Sequence, residues 1–226
     1  MQDISILYED IHILVCVKPR GILSQTDSRG TPAMPERLAE HCGAAVYPVH
    51  RLDGEVSGVM VYAKTKAAAA KLSQLVSDHE RFVKAYYAVV EGVPEAEEEV
   101  LEDLLFHDRF KNKTYVVDRM RGGVKAAKLT YRVIATEKSG EVPLTLVKIR
   151  LYTGRSHQIR VQFASRGMPL AGDKRYGAKT ASNIALFSHS LDFAHPMIRK
   201  HIHVQALPSN EEPWTFFETF LQSENS

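Results

Sequence analysis

His50-Arg51-Leu52-Asp53, followed closely by Gly58-Val59-Met60-Val61-Tyr62-Ala63, carries the most information of any stretch in this chain. The run 58–63 is apolar, opens on glycine and is short, as a buried strand requires. The tetrapeptide before it sets a carboxylate two residues from a guanidinium, with an imidazole alongside. Ionised Asp and Arg are almost never fully buried unless paired, so such a cluster beside an apolar strand points to a lined pocket. A second polar cluster, Thr153-Gly154-Arg155-Ser156-His157-Gln158-Ile159-Arg160, also follows an apolar strand much later in the chain. Two such clusters on strand ends are expected to form two walls of one active site.

Outward from these clusters, the composition is that of an ordinary soluble globular chain. Its 226 residues are 44% hydrophobic and 25% charged, enough for one large domain or two small ones. The 29 basic residues nearly balance 27 acidic ones, so any nucleic-acid footprint has to come from uneven distribution. Cys16 and Cys42 show no CxxC spacing, and Cys16 lies in an apolar run that suits a buried free thiol. Asp3, Glu9 and Asp10 interrupt the start of the chain where a leader would need an apolar region, and no run approaches a membrane span. The expectation is a cytoplasmic, reduced protein with no membrane partner.

Residues 4–8 and 11–17 read as short strands stopped by Lys18-Pro19-Arg20-Gly21, and 22–33 as a loop. Residues 35–42 suit a short helix, with Pro35 in its first turn and Gly43 just past its end. Residues 66–78 carry Ala68, Leu72 and Leu75 at helical spacing. Residues 82–90 alternate, putting Tyr86, Ala88 and Val90 on one face. The acidic stretch 95–99 reads as a solvated loop, and 104–106, 114–117, 129–135 and 144–151 as strands. Ser156 is a good N-cap and Gly167 a good C′ residue, predicting a helix over 157–166. Residues 182–193 return to the sheet; 214–221 suit a strand and a helix equally. Strands outnumber helices and mostly follow one another, which predicts an α+β fold around a mixed, mostly antiparallel sheet with flanking helices.

Asp53 is the first candidate for chemistry, as nucleophile, general base or electrostatic stabiliser. Asp-Gly is also a common turn, so the bland alternative is that Asp53 caps one with Gly54. Arg160, near the apolar side of the expected helix, needs an anion, and Asp53 is the expected partner. A purely structural ion pair is the alternative. Arg155 and His157 fall at that helix's start, a position suited to phosphate. Tyr86 reads either as a ring that stacks on a base or as plain core. Residues 109–128 hold seven basic side chains, among them Lys111, Lys113, Arg121 and Lys125, against the single acid Asp118. On a hairpin this is a positive ribbon suited to an RNA backbone, or else a solvated hairpin. The ten histidines show no metal spacing, His201-Ile202-His203 being weak, and no GxGxxG or P-loop occurs.

With these residues in hand, the chain resembles the pseudouridine synthases of the large-subunit ribosomal RNA type, the RluA-like family. Lys18-Pro19-Arg20-Gly21 is similar to the family's KPxG, and His50 to Asp53 with Ser57-Gly58 and Ala63-Lys64-Thr65 to its HRLDxxTSG…AKT. Lys84, Tyr86, Ala88, Val90 and Gly92 fit KxYxAxVxG. Thr153 to Arg160, Gly167 to Asp173 and Tyr176-Gly177 fit TGRxHQIR…GxPxxGDxxYG, and His189 with Phe193-Ala194-His195-Pro196 resembles the closing region. The resemblance implies one catalytic domain over residues 1–226 with a central cleft, no separate RNA-binding domain and no cofactor; the histidine spacing suggests no metal, and a monomer is the simplest expectation. It implies isomerisation of uridine in ribosomal RNA or a transfer RNA anticodon arm. Asp53 would be the essential carboxylate, Tyr86 the ring on the base and Arg160 the partner of Asp53. His50, Arg51, Arg155, His157 and Gln158 would bind substrate. Val56, Gln162 and Ser188 depart from the usual Thr, His and Leu, with Ser188 expected to thin an apolar wall.

Overall fold

A computed structural model describes residues 4–27, 29–138 and 140–224. Asp3, cited above against a leader, and Ser28 of the 22–33 loop lie outside the described residues. In chain order the strands and helices are β1 (Ile6–Glu9), β2 (Ile13–Lys18), α1 (Met34–Cys42), β3 (Tyr47–Pro48), β4 (Ser57–Ala63), α2 (Lys66–Val76) and β5 (Phe82–Glu91). Then come β6 (Glu98–Asp108), β7 (Lys113–Val117), β8 (Val124–Glu137), β9 (Leu144–Leu151), α3 (Gln158–Ala164), β10 (Leu186–Ala194), β11 (His201–Gln205) and α4 (Glu218–Ser223). Short 3₁₀ turns occupy Lys174–Tyr176 and Trp214–Phe217. The chain divides into two compact units, one of residues up to 85 with 187–208 and one of 86–186 with residues from 209 onward.

In the first unit the strand order is β1-β2-β4-β10, with β3 also on β4 and β11 on β10. Every pairing is antiparallel except β4 with β10. Strand β4 is covered on both faces, so Val59 to Ala63 are all fully buried and read as a continuous apolar run rather than an alternation. Its core partners include Ile13, Val15, Leu72, Phe82, Leu191 and Phe193. Helix α2 starts where the Thr65 side chain accepts from the Ala68 N–H, and it buries Ala68 and Leu72. Helix α1 carries Pro35 in its first turn and stops at Gly43, whose φ of 64° a residue with Cβ resists.

In the second unit the order is β5-β9-β8-β6-β7, β5 entering it at Tyr86. The β9–β8–β6–β7 pairings are antiparallel, with an irregularity in β8 between Val133 and Ala135. Tyr131 of β8 and Phe163 of α3 pack with ring centroids 5.2 Å apart. Two expectations change here and one open alternative is decided. Strand β6 begins at Glu98, so the acidic stretch is only partly loop: Glu98 and Glu99 pair with Arg132 and Tyr131 of β8. Helix α3 begins at Gln158, and its N-cap is His157, at φ 53°, rather than Ser156. Residues 214–221 are helical, burying Trp214, Phe217 and Leu221 at helical spacing.

Gly58 allows the β4–β10 pairing. It lies opposite Ser188 at φ 128°, and a Cβ there would sit 2.3 Å from the Ser188 carbonyl oxygen and 2.7 Å from its Cα. Gly58→Ala should therefore destabilise the protein by about 2–4 kcal/mol through clash and backbone strain combined. Denaturant unfolding checks this; wild-type stability in the variant would contradict it.

Candidate active site

In the first unit, Asp53 sits between two residues whose backbones are pinned. Leu52 is held in both directions by Ser24: its N–H donates to Ser24 Oγ (2.9 Å) and its carbonyl accepts from the same hydroxyl (2.8 Å). The Ser24 carbonyl in turn accepts from the Tyr62 hydroxyl at 3.0 Å, tying the loop to β4. On the other side, the Gly54 carbonyl accepts from the Gly21 N–H at 2.9 Å and from the Lys18 ammonium at 3.2 Å. The Val56 N–H closes a turn onto the Asp53 carbonyl at 3.0 Å. Asp53 therefore does open the Asp-Gly turn of the bland reading. That turn holds the carboxylate's backbone in place at a partly exposed position.

Lys18 is the unusual group here. It is fully buried, and its Nζ also donates to the Pro19 and Ile22 carbonyls, each at 2.8 Å. Burial lowers its pKa to about 8, outweighing the opposite pull of the Asp53 and Glu55 charges. His50 lies further back: its Nε2 accepts the Val61 N–H at 3.1 Å, which requires an unprotonated nitrogen. Burial and the nearby Lys84 push its pKa down to about 3. Its ring meets Phe82 edge-on, and Phe82 stacks on Phe193 at 4.9 Å. Arg51 is exposed. His195 of the closing motif caps a turn, its Nδ1 accepting from the Met197 and Ile198 N–H groups at 3.1 Å.

In the second unit, Tyr86 is buried on β5. Arg160 is buried on α3 and forms a bidentate pair with buried Asp173, Nε to Oδ2 at 2.6 Å and Nη2 to Oδ1 at 2.8 Å. An anion for this guanidinium is thus Asp173, in the Gly172-Asp173 turn. The same turn's Tyr176 lies beneath Arg160, its ring centroid 5.2 Å from Cζ, and its hydroxyl is 3.0 Å from His157 Nδ1. The Thr114 N–H also donates to that hydroxyl, at 2.9 Å. Two segments of the pattern quoted above are therefore one interlocked structure: Arg160 with Asp173, His157 with Tyr176. Gln158 is spent internally, its Oε1 accepting from Thr153 Oγ1 (2.7 Å) and the Arg155 N–H (3.1 Å), its Nε2 donating to the Lys128 carbonyl. Arg155 Nε donates to the Ala126 carbonyl.

The basic segment runs through β7, its two turns and the start of β8. Lys111, Arg121 and Lys125 are exposed, and Lys113 lies over the Tyr176 ring at 5.2 Å. Exposed Phe110 sits between Arg109 and Lys111 in the β6–β7 turn. Of the departures, Val56 is core, Ser188 donates to the Val59 carbonyl at 3.0 Å, and Gln162 donates to the Leu101 carbonyl and to Asp103. His201 and His203 both engage Asp192, at 2.9 and 3.1 Å. Among the described residues no cluster of three or more His, Cys, Asp or Glu is arranged to hold a metal, and no helix is long and apolar enough to cross a membrane. Residue chemistry alone missed Lys18 and Asp173. The signals present were a lysine closing an apolar strand and an aspartate after glycine in a turn.

Lys18 has a testable pH signature. With its folded pKa near 8 and its ordinary value at 10.5, the unfolded chain holds more protons between these limits, so stability rises with pH across that window. Lys84, also lowered to about 8 by burial, acts in the same direction. The difference between wild type and Lys18→Met isolates Lys18: the wild type should gain about 1–3 kcal/mol relative to the variant from pH 8 to 10.5. Urea unfolding across that range measures it; a constant difference would contradict the buried charge.

The family model described as RNA pseudouridylate synthase matches residues 12–165. A dual-specificity RNA pseudouridine synthase RluA of Vibrio parahaemolyticus is 35% identical over 210 residues, covering 85% of this chain and 78% of that protein. A tRNA pseudouridine synthase C of the same organism is 28% identical over 234 residues, covering 94% and 92%. The solved structure of human RNA pseudouridylate synthase domain containing 1 shares the fold, with a TM-score of 0.76 over 94% of this chain and 86% of that one at 21% identity. The chain therefore belongs to the RNA pseudouridylate synthase family and is an isomerase.

Proposed function

We propose that this enzyme converts specific uridines to pseudouridine in structured RNA, namely 23S ribosomal RNA, a transfer RNA anticodon arm, or both. It does so as a cytoplasmic monomer with a single catalytic domain and no cofactor. The observation that carries the assignment of Asp53 is its setting: a partly exposed carboxylate whose neighbours Leu52 and Gly54 are pinned by Ser24, Gly21 and buried Lys18. A carboxylate held this way loses little freedom when it meets a sugar carbon. The RNA class draws support from relatives named for dual-specificity RNA and for tRNA modification.

In this reading the N1–C1′ bond breaks, the uracil turns in place, C5 joins C1′, the C5 proton leaves and the freed N1 takes up a proton, so no atom is gained or lost overall. Asp53 is the essential carboxylate at the sugar. Tyr86 offers its ring to the base, and Arg160 is the guanidinium that the resemblance pairs with Asp53, its own plane set by Asp173. Chemistry on a base needs it out of the stack, at a cost of a few kcal/mol that backbone contacts offset. Exposed Arg51, partly exposed Arg155 and the ribbon of Lys111, Lys113, Arg121 and Lys125 supply those contacts. His50 and Gln158 act through the backbone groups they hold, and His157 through the Tyr176 hydroxyl.

Total RNA labelled with tritium at uridine C5, from cells lacking this protein, should release tritium with wild-type enzyme and none with Asp53→Asn. Release by both would remove Asp53 from its role, and release by neither would overturn the substrate class. Charge reversal of Lys111, Lys113 and Arg121 together should weaken RNA binding and lower the slope of log K against log salt by about two. An unchanged slope in filter binding would return that ribbon to a solvated hairpin.

A further inference from the structure

The carboxylate of Glu91, at the end of β5 and five residues beyond Tyr86, is buried although no motif above includes it. Its oxygens are filled from one short loop. Oε1 accepts from the Lys179 N–H (2.8 Å), the Thr180 N–H (2.7 Å) and the Thr180 hydroxyl (2.7 Å), and Oε2 from the Lys179 N–H (3.0 Å). The Thr180 hydroxyl oxygen then accepts the Gly172 N–H at 2.8 Å. Gly172 adopts φ 76°, and a Cβ there would lie 2.2 Å from the Asn183 carbonyl oxygen, so the turn packs closely on residue 183 and requires glycine. The next residue is Asp173, the bidentate partner of Arg160. An unbroken series of hydrogen bonds and one peptide link thus joins Glu91 to the Arg160 guanidinium.

We propose that Glu91 is a positioning residue for the reaction: through Thr180 and the Gly172-Asp173 turn it sets the plane of Arg160. The backbone of β5 already holds residues 169–171, with the Glu91 N–H donating to the Pro169 carbonyl and the Ala171 N–H to the Val89 carbonyl. Those bonds end before Gly172. The Asp173 N–H donates to the Leu170 carbonyl (2.9 Å) and the Asp173 carbonyl accepts from the Ala178 N–H (3.1 Å), and the Glu91 carboxylate adds, through Thr180, the hold on the Gly172 N–H. A carboxylate suits the task because only an acceptor can take several N–H and O–H donors at once. Bidentate recognition is sensitive to angle, so loosening the turn changes the direction of Arg160 without removing it.

The proposal rests on the function given above for Arg160, and its test separates the two. Glu91→Gln keeps the size of the side chain but turns one acceptor into an NH₂ facing N–H groups. In the intact chain, this variant and Thr180→Val should each lower kcat roughly ten- to a hundredfold with KM for RNA little changed. Both should speed hydrogen exchange of the Arg160 Nε–H followed by ¹⁵N NMR. Thr180→Ser, which keeps the hydroxyl, should restore both readouts towards wild type. Wild-type kcat and exchange in Thr180→Val, or in a folded Glu91→Gln, overturn the proposal, as does a loss that Thr180→Ser shares. If Glu91→Gln fails to fold, the threonine pair decides. The exchange comparison stands without turnover, so a wild-type enzyme that releases no tritium would fault the functional reading alone.

Discussion

Lys18 is the tie on which the Asp53 side of the molecule depends. Three backbone carbonyls, of Pro19, Ile22 and Gly54, point their oxygens inward and meet one ammonium with three donors. Without that cation the Pro19 and Ile22 carbonyls would lose this donor, and the turn after β2 would keep only the Gly21 N–H as its link to the Gly54 carbonyl. Burying a lysine is costly, as its pKa of about 8 records. The carboxylates of Asp53 and Glu55 offset part of that cost. The same charge thus holds the Asp53 backbone in place and interacts with the Asp53 side chain.

The second unit uses buried charge in the same way. The Arg160–Asp173 pair is fully enclosed, and replacing such pairs with apolar residues often leaves a protein no less stable. Its value lies in direction. A guanidinium fixed at two points, with the Tyr176 ring beneath it, has one orientation. His157, forced to positive φ, and Tyr176, with its hydroxyl between His157 and Thr114, fix the ends of this arrangement. Each of these groups is placed by a neighbour rather than by its own backbone. Single-residue motifs therefore understate how much of the chain the site occupies.

What could be read in advance followed from local rules. Helix α1 matches expectation within one residue because Pro35 and Gly43 mark its ends through their own backbone limits. Strands β4 and β9 were legible because β4 is a continuous apolar run and β9 alternates, and both close where expected. Strand β6 was missed at its start because Glu98, Glu99 and Glu102 are exposed charges, and buried positions such as Leu101 are too sparse to show an alternation. Ser156 looked like a cap, yet its carbonyl takes the Thr114 hydroxyl and the chain turns at His157. No local signal announces a left-handed histidine. The need of Arg160 for an anion was legible from its helix position. Asp173 was not, because that partner is chosen by a turn thirteen residues away in sequence. Glu91 was hidden for a similar reason, since its donors belong to the loop at 179–180.

The most direct measurement is nucleoside mass spectrometry of unmodified 23S ribosomal and transfer RNA transcripts incubated with the wild-type protein. Isomerisation leaves the mass of uridine unchanged while moving the nucleoside to the retention time of pseudouridine, with fragmentation that retains the base on the sugar. Appearance of that species at defined positions is the expected result. Free uracil with an abasic site, or uridine recovered intact from every transcript, would contradict it.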